Sequence, residues 1–259
     1  MLRNILLTIE YDGSRFSGWQ RQPEKRTVQG ELEKALSRAC GCEVKINGTS
    51  RTDAGVHALG QRASFICDSG IPTEKLAFVT NNLLSGGQNK LATGSGVGDI
   101  RILKAEEKPM DFHARFDCKN KTYRYVIRNT AEPDVFLRNY CYHVAKPLDI
   151  EKMRKAAGYI LGKHDFACFQ SAGASERLTT VRTIHKLDIH NEAENVIIEV
   201  NGDGFLYNMV RIIVGTLVEV GLRKREPAEL EDIIASGDRA RAGHTAPAEG
   251  LYLAEIFFE

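Results

Sequence analysis

Hydrophobic positions along this chain follow two rhythms, and the rhythms come in similar order twice. Isoleucine and leucine dominate residues 4–10, and the run stops at Tyr11-Asp12-Gly13, which predicts a strand entering a turn. Val28, Leu32, Ala35, Leu36 and Ala39 recur at helical spacing, with Thr27 as N-cap and Gly41 as stop. Residues 43–47 alternate as a strand, and a further strand runs through Ala63, Phe65 and Cys67. Pro72-Thr73-Glu74 opens a second helix, and residues 99–104 read as another strand. The order is strand, helix, strand, strand, helix, strand.

The second half repeats this grammar. Asp149 caps a helix with Ile150, Met153, Ala157 and Leu161 on one face, ending near Gly162. Strands follow at 181–190 and 196–201, then a strongly apolar helix at 205–220 closed by Gly221. A short helix at 227–235 precedes a last strand at 251–258. The expected architecture is α+β, in two halves (1–107 and 108–259) with mainly antiparallel sheets and a cleft between them. The glycine-rich segment 85–98, with Gly86-Gly87 and Gly94-Ser95-Gly96, leads to a strand rather than a helix N-terminus. It therefore reads as a mobile loop and not as a phosphate cradle.

Composition narrows the class. The 259 residues are 42% hydrophobic and 27% charged, enough for one large or two small cores. Neither a long apolar run nor a basic-then-apolar start is present, so a soluble, unprocessed protein without membrane contact is expected. Six scattered cysteines suit the reduced thiols of a cytoplasm. Cys40-Gly-Cys42 has no second ligand pair at matching spacing, and the seven histidines show no metal spacing, so no metal site is expected. Net charge is only +1, but residues 113–128 hold Arg115, Lys119, Lys121, Arg124 and Arg128 against Asp117. Arg15, Arg21, Lys25 and Arg26 oppose Glu24. Such clusters are footprints for a polyanion or, equally, solvated faces.

The chemistry concentrates in GTSRTDAGVH, residues 48–57, between two predicted strands. Asp53 followed by Gly55 is ordinary turn chemistry, and Arg51 with Asp53 would make an ordinary surface ion pair. A lone carboxylate without metal or cofactor motif also suits attack on, or stabilisation of, an electron-poor carbon such as C1′ of a ribose. A glycoside hydrolase would show a second carboxylate, and none stands out near Asp53.

At these residues the chain resembles the TruA family of tRNA pseudouridine synthases. The likeness rests on GTSRTDAGVHALGQ, on Glu10-Tyr11-Asp12-Gly13 with Gly18-Trp19-Gln20-Arg21-Gln22, and on Asp111-Phe112-His113-Ala114-Arg115-Phe116. It continues through Lys121-Thr122-Tyr123-Arg124-Tyr125, Phe205, Met209-Val210-Arg211, Ile213-Val214-Gly215 and Ala248-Glu249-Gly250-Leu251-Tyr252-Leu253. The resemblance implies two ferredoxin-like halves, a homodimer, and conversion of uridine to pseudouridine at positions 38–40 of the tRNA anticodon stem-loop without a cofactor. It implies that Asp53 is the catalytic aspartate and that Tyr123 stacks on the uracil. Tyr125, two residues on, shares that strand face. Arg211, a charge in an apolar helix, is implied to pair with Asp53 and keep it ionised. Arg51 is implied to face RNA and replace a displaced base, while Leu251 packs below the reacting nucleotide.

One departure stands out, because the family joins its second helix to the next strand by a short proline-containing turn, and residues 85–98 are longer and lack proline. A catalytically silent RNA-binding protein and a ribosyl hydrolase remain as alternatives. The sequence also leaves open whether Asp53 attacks C1′, attacks the uracil or abstracts a ribose proton.

Overall fold

The computed structural model describes residues 1–86, 98–173 and 179–259. It comprises two compact units, Met1–Lys119 with Leu253–Glu259, and Asn120–Tyr252. The segment 87–97, which holds most of the glycine-rich stretch, lies outside the described residues.

The first unit contains β1 (Arg3–Tyr11), α1 (Val28–Cys40), β2 (Asn47–Gly48), β3 (His57–Cys67), α2 (Thr73–Leu84) and β4 (Ile100–Lys108). Strand β1 lies between β3 and β4, antiparallel to both, and the last strand of the chain, Leu251–Phe257, neighbours β3. Ile5, Leu6, Leu7 and Ile9 are all fully buried. Successive residues of a strand point to opposite faces, so β1 is covered on both. Helix α1 obeys its sequence signals: Thr27 accepts the Gly30 N–H at 3.3 Å, and Gly41 ends it in the left-handed region at φ 71°. Removing such an N-cap costs about 1 kcal/mol.

Residues 43–47 depart from the expected strand, since only Asn47–Gly48 joins the sheet. The alternation is real, because Val44 and Ile46 are buried. Their backbone N–H groups donate to side chains of α1 instead, Val44 to Ser37 Oγ (2.8 Å) and Ile46 to Glu33 Oε1 (3.1 Å). Satisfied donors leave this stretch no need for a strand partner.

The second unit contains β5 (Asn120–Arg128), β6 (Tyr142–His143), α3 (Ile150–Gly158), β7 (Gly162–Asp165), β8 (Val181–Glu192), β9 (Asn195–Gly202), α4 (Met209–Gly221) and α5 (Glu229–Ser236). Its sheet order is β5-β9-β8-β7, antiparallel throughout, with β6 parallel to β5. The α+β class with mainly antiparallel sheets therefore holds in each unit.

Two helices are shorter than their apolar patterns predict. Helix α3 ends at Gly158, Ile160 takes the buried place, and Leu161 is exposed at the entry to β7. Helix α4 begins at Met209 rather than at 205, because Asn208 adopts the left-handed conformation at φ 60°. Gly215 of α4 is required by a close approach: a β-carbon there would lie 1.8 Å from the His244 carbonyl oxygen.

Candidate active site

The loop between β2 and β3 carries Asp53, and its backbone is held on both sides of the aspartate. Thr49 donates its N–H to the Arg62 carbonyl and its hydroxyl to the Ala114 carbonyl, both at 2.9 Å. The Ser50 N–H donates to Gln61 Oε1 (3.3 Å), and Gln61 Nε2 donates back to the Ser50 carbonyl (2.7 Å). Gln61 is fully buried, so its amide stands in for the strand partner that the loop lacks. The Thr52 carbonyl accepts the Trp19 N–H at 3.0 Å, and the Thr52 and Tyr11 hydroxyls share a 2.7 Å hydrogen bond. Beyond Asp53, the Val56 N–H returns to the Asp53 carbonyl at 3.2 Å. The aspartate itself is half-buried. Such bracing fixes the main chain that carries the carboxylate before any substrate arrives, which helps a reaction that depends on orientation.

The neighbouring motif residues are scaffold. Trp19 is buried and Tyr11 lies 6.0 Å from it, ring centre to ring centre. His57, also buried, accepts the Gly13 N–H on Nδ1 at 3.1 Å, and the same nitrogen lies 3.3 Å from Asp12 Oδ1, so its imidazole helps to hold the turn after β1. Arg51 is exposed and forms no ion pair with Asp53. The simple surface-pair reading of those two residues is therefore set aside.

In the second unit, Tyr123 and Tyr125 alternate with their neighbours along β5, opposite Val200 and Ile198 of β9. Their environments differ. Tyr123 is 6% exposed and meets Phe205 edge to face at 5.2 Å. Tyr125 is fully buried and donates its hydroxyl to the Pro247 carbonyl at 2.8 Å. Burial, reinforced by the Glu249 charge, pushes the Tyr125 phenol well above its ordinary value. Tyr125 is thus a core residue.

Arg211 sits half-buried in the first turn of α4. Its Nε donates to the Ala246 carbonyl at 2.7 Å and its Nη1 to Asn208 Oδ1 at 2.9 Å, while the Ala246 N–H donates to the Arg211 carbonyl at 3.0 Å. These acceptors offset part of the desolvation of a charge in an apolar helix and fix the plane of the guanidinium. Leu251 is buried at the start of the last strand.

The basic clusters are thinner than the sequence suggests. Arg124 pairs with Glu192 at 2.5 Å, and Arg128 pairs with Glu194. Arg15 and Arg26 both bridge to Asp99, and Arg21 reaches Glu33 at 3.5 Å. Arg51, Arg115 and Lys119 are exposed and enter no ion pair among the described residues. No cluster of three metal-ligating side chains occurs among the described residues, and none of their helices is long and apolar enough to cross a membrane.

Residues 7–117 and 156–259 match the family model described as tRNA pseudouridine synthase. The chain belongs to that family. The tRNA pseudouridine synthase A of Acetivibrio thermocellus is 49% identical over 257 residues, covering 99% of this chain and 100% of that protein. Its counterpart in Ruminiclostridium cellulolyticum is 48% identical over 258 residues, with the same coverage. That of Brevibacillus brevis is 46% identical over 257 residues, again 99% and 100%. Membership makes the chain an isomerase acting on uridine in tRNA. The supports of the aspartate loop, namely Thr49, Gln61, Ser64 and Ala114, are residues for which the sequence suggested no role. Their one signal is that three of them lie within the motifs quoted for the family, Thr49 and Gln61 in the loop and Ala114 beside Arg115.

Proposed function

We propose that the chain converts uridine to pseudouridine at positions 38–40 of the tRNA anticodon stem-loop, with Asp53 as the catalytic carboxylate. The observation that supports this most is the bracing of the residues just before Asp53, Thr52 by Trp19 and Tyr11 and Ser50 by Gln61, which goes beyond what a surface turn needs. In the reaction the N1–C1′ bond breaks, the base turns, and C5 bonds to C1′ while the C5 proton is lost and N1 gains one. Atoms and electrons balance within the nucleoside, so neither redox group nor energy donor is required. Attack at C1′, attack on the uracil and proton abstraction from the ribose all begin from the ionised carboxylate.

In this reading Tyr123 stacks on the uracil, Leu251 packs below the nucleotide and Arg51 takes the place of the displaced base. Arg211 is the cation that keeps Asp53 charged during the reaction. Arg211→Lys retains the charge but loses the planar fork, so turnover falls while tRNA binding persists. The protein acts in the cytoplasm as a homodimer. Mapping pseudouridine in tRNA incubated with the pure protein tests the reading: product confined to positions 38–40 supports it. Release of free uracil would indicate hydrolysis instead.

A further inference from the structure

Residues 113–117 form a turn in the first unit that is locked from several sides. The Phe116 and Asp117 N–H groups both donate to the His113 carbonyl at 3.0 Å, and the His113 N–H donates to Asp117 Oδ2 at 2.7 Å. The Arg115 N–H donates to His113 Nδ1 at 3.1 Å. Ala114, fully buried, gives its N–H to Ser64 Oγ (3.1 Å) and accepts the Thr49 hydroxyl on its carbonyl (2.9 Å). Thr49 begins the stretch that leads to Arg51 and Asp53, so the turn and the aspartate loop share one clamp.

This rigid turn presents an aromatic face to solvent. The Phe116 ring is 76% exposed. The His113 ring lies against it at 4.3 Å between centroids and 32° between planes, and the Arg115 guanidinium is 6.0 Å from its centroid. Leaving a phenylalanine in water forgoes the favourable burial of its ring. The nearby Asp117 carboxylate is engaged by the His113 N–H, whereas Arg51, Arg115 and Lys119 are exposed cations. A fixed aromatic plane edged by the exposed Arg115 guanidinium complements an unpaired base on a phosphate backbone.

We propose that Phe116, backed by His113 and edged by Arg115, is a stacking platform for an unpaired base of the tRNA. This residue binds and positions the substrate next to the aspartate loop and takes no part in the chemistry. The inference rests on tRNA being the substrate, and it is independent of which uridine reacts and of the role of Asp53.

The test compares Phe116→Ala, Phe116→Leu and Phe116→Trp with the unaltered protein, using an unmodified tRNA transcript as probe. Loss of one base stack raises Kd and KM by about five- to hundredfold in the Ala and Leu variants. Melting temperature stays unchanged because the ring is exposed, and kcat at saturating tRNA stays unchanged because the ring takes no part in the chemistry. Phe116→Trp restores affinity, and its indole emission is quenched when tRNA is added, against the constant signal of buried Trp19. Unchanged affinity in Phe116→Ala overturns the proposal. Wild-type affinity in Phe116→Leu does so too, since it would show plain apolar contact. A change in sedimentation of Phe116→Ala without tRNA, with affinity per assembled protein unchanged, would assign the ring to a contact between two copies. Failure of the Asp53 assignment would appear separately, as an active Asp53→Asn protein.

Discussion

A β-carbon at Gly18 would lie 2.8 Å from the Thr52 carbonyl oxygen, the same oxygen that accepts the Trp19 N–H at 3.0 Å. The main chain just before Asp53 is thus held by a hydrogen bond and by the lack of a side chain opposite. Gly18 also has φ 91°, a conformation that costs other residues about 1–2 kcal/mol. Gly18→Ala is therefore expected to lose about 2 kcal/mol or more in urea unfolding, strain and contact together. Its pseudouridine formation per folded molecule should fall as well, because the displaced carbonyl belongs to the peptide bond that joins Thr52 to Asp53. Full specific activity in the folded fraction would show that the brace does not govern the aspartate.

The two tyrosines of β5 are expected to respond in opposite ways. Tyr125→Phe leaves the Pro247 carbonyl without its donor, a loss of about 1–2 kcal/mol, with activity of the folded protein retained. Tyr123→Leu removes the aromatic face proposed to meet the uracil, so turnover is lost while tRNA is still bound. Denaturation and single-turnover assays on the pair distinguish them, and a reversed pattern would exchange their roles.

Glu219 gives a pH-dependent contribution to stability. Burial alone would raise its carboxyl, but hydrogen bonds from Arg225 and His244 override this and leave it below the ordinary value of 4.5. A carboxyl lowered by folding contributes stability that is present above its unfolded value and is lost as pH falls through the folded one. Urea midpoints of the unaltered protein and Glu219→Gln should differ most above the ordinary carboxyl value of 4.5 and converge as pH falls through the lowered folded value. A difference that persists in acid would assign Glu219 a packing role only.

Thiol reactivity should follow burial. Burial, helped by the neighbouring Cys40, pushes the Cys67 thiol up to about 12, and burial pushes Cys168 to about 12. The thiolate is the reactive form, so iodoacetamide at pH 8 should spare Cys67 and Cys168 in the native protein and label both in urea. Peptide mass mapping reads this directly, and rapid native labelling of either would contradict the packing described.

Much of this was legible in the sequence where local signals suffice. The cap at Thr27, the stop at Gly41 and the strand ending at Tyr11 arise from residues close in sequence to the features they set. The strand expected at 43–47 fails because its N–H groups find Ser37 and Glu33, a tertiary choice that alternation does not encode. The start of α4 fails for a backbone reason, the left-handed Asn208, inside an unbroken apolar run. The last strand returns to the first unit, an association no linear division of the chain can display. At the site, the Asp53 motif stood out, yet the work of Gln61, Thr49 and Ala114 did not. Hydrogen bonds to backbone atoms leave no pairwise signature in one sequence. The basic clusters misled in the opposite direction, since their partners Glu192, Glu194 and Asp99 are distant in the chain.

The assignment of Asp53 is tested most directly by pseudouridine formation in Asp53→Asn, read beside a melting curve and tRNA affinity. Asparagine keeps the size of aspartate and most of its hydrogen bonding, and the loop is braced through Thr49, Ser50 and Thr52 rather than through residue 53 alone. The expected variant folds, binds tRNA through phosphate and stacking contacts, and forms no pseudouridine, because the ionised oxygen is gone. A well-folded Asp53→Asn protein that modifies tRNA at the rate of the unaltered enzyme would contradict the assignment and return Asp53 to the role of a turn residue.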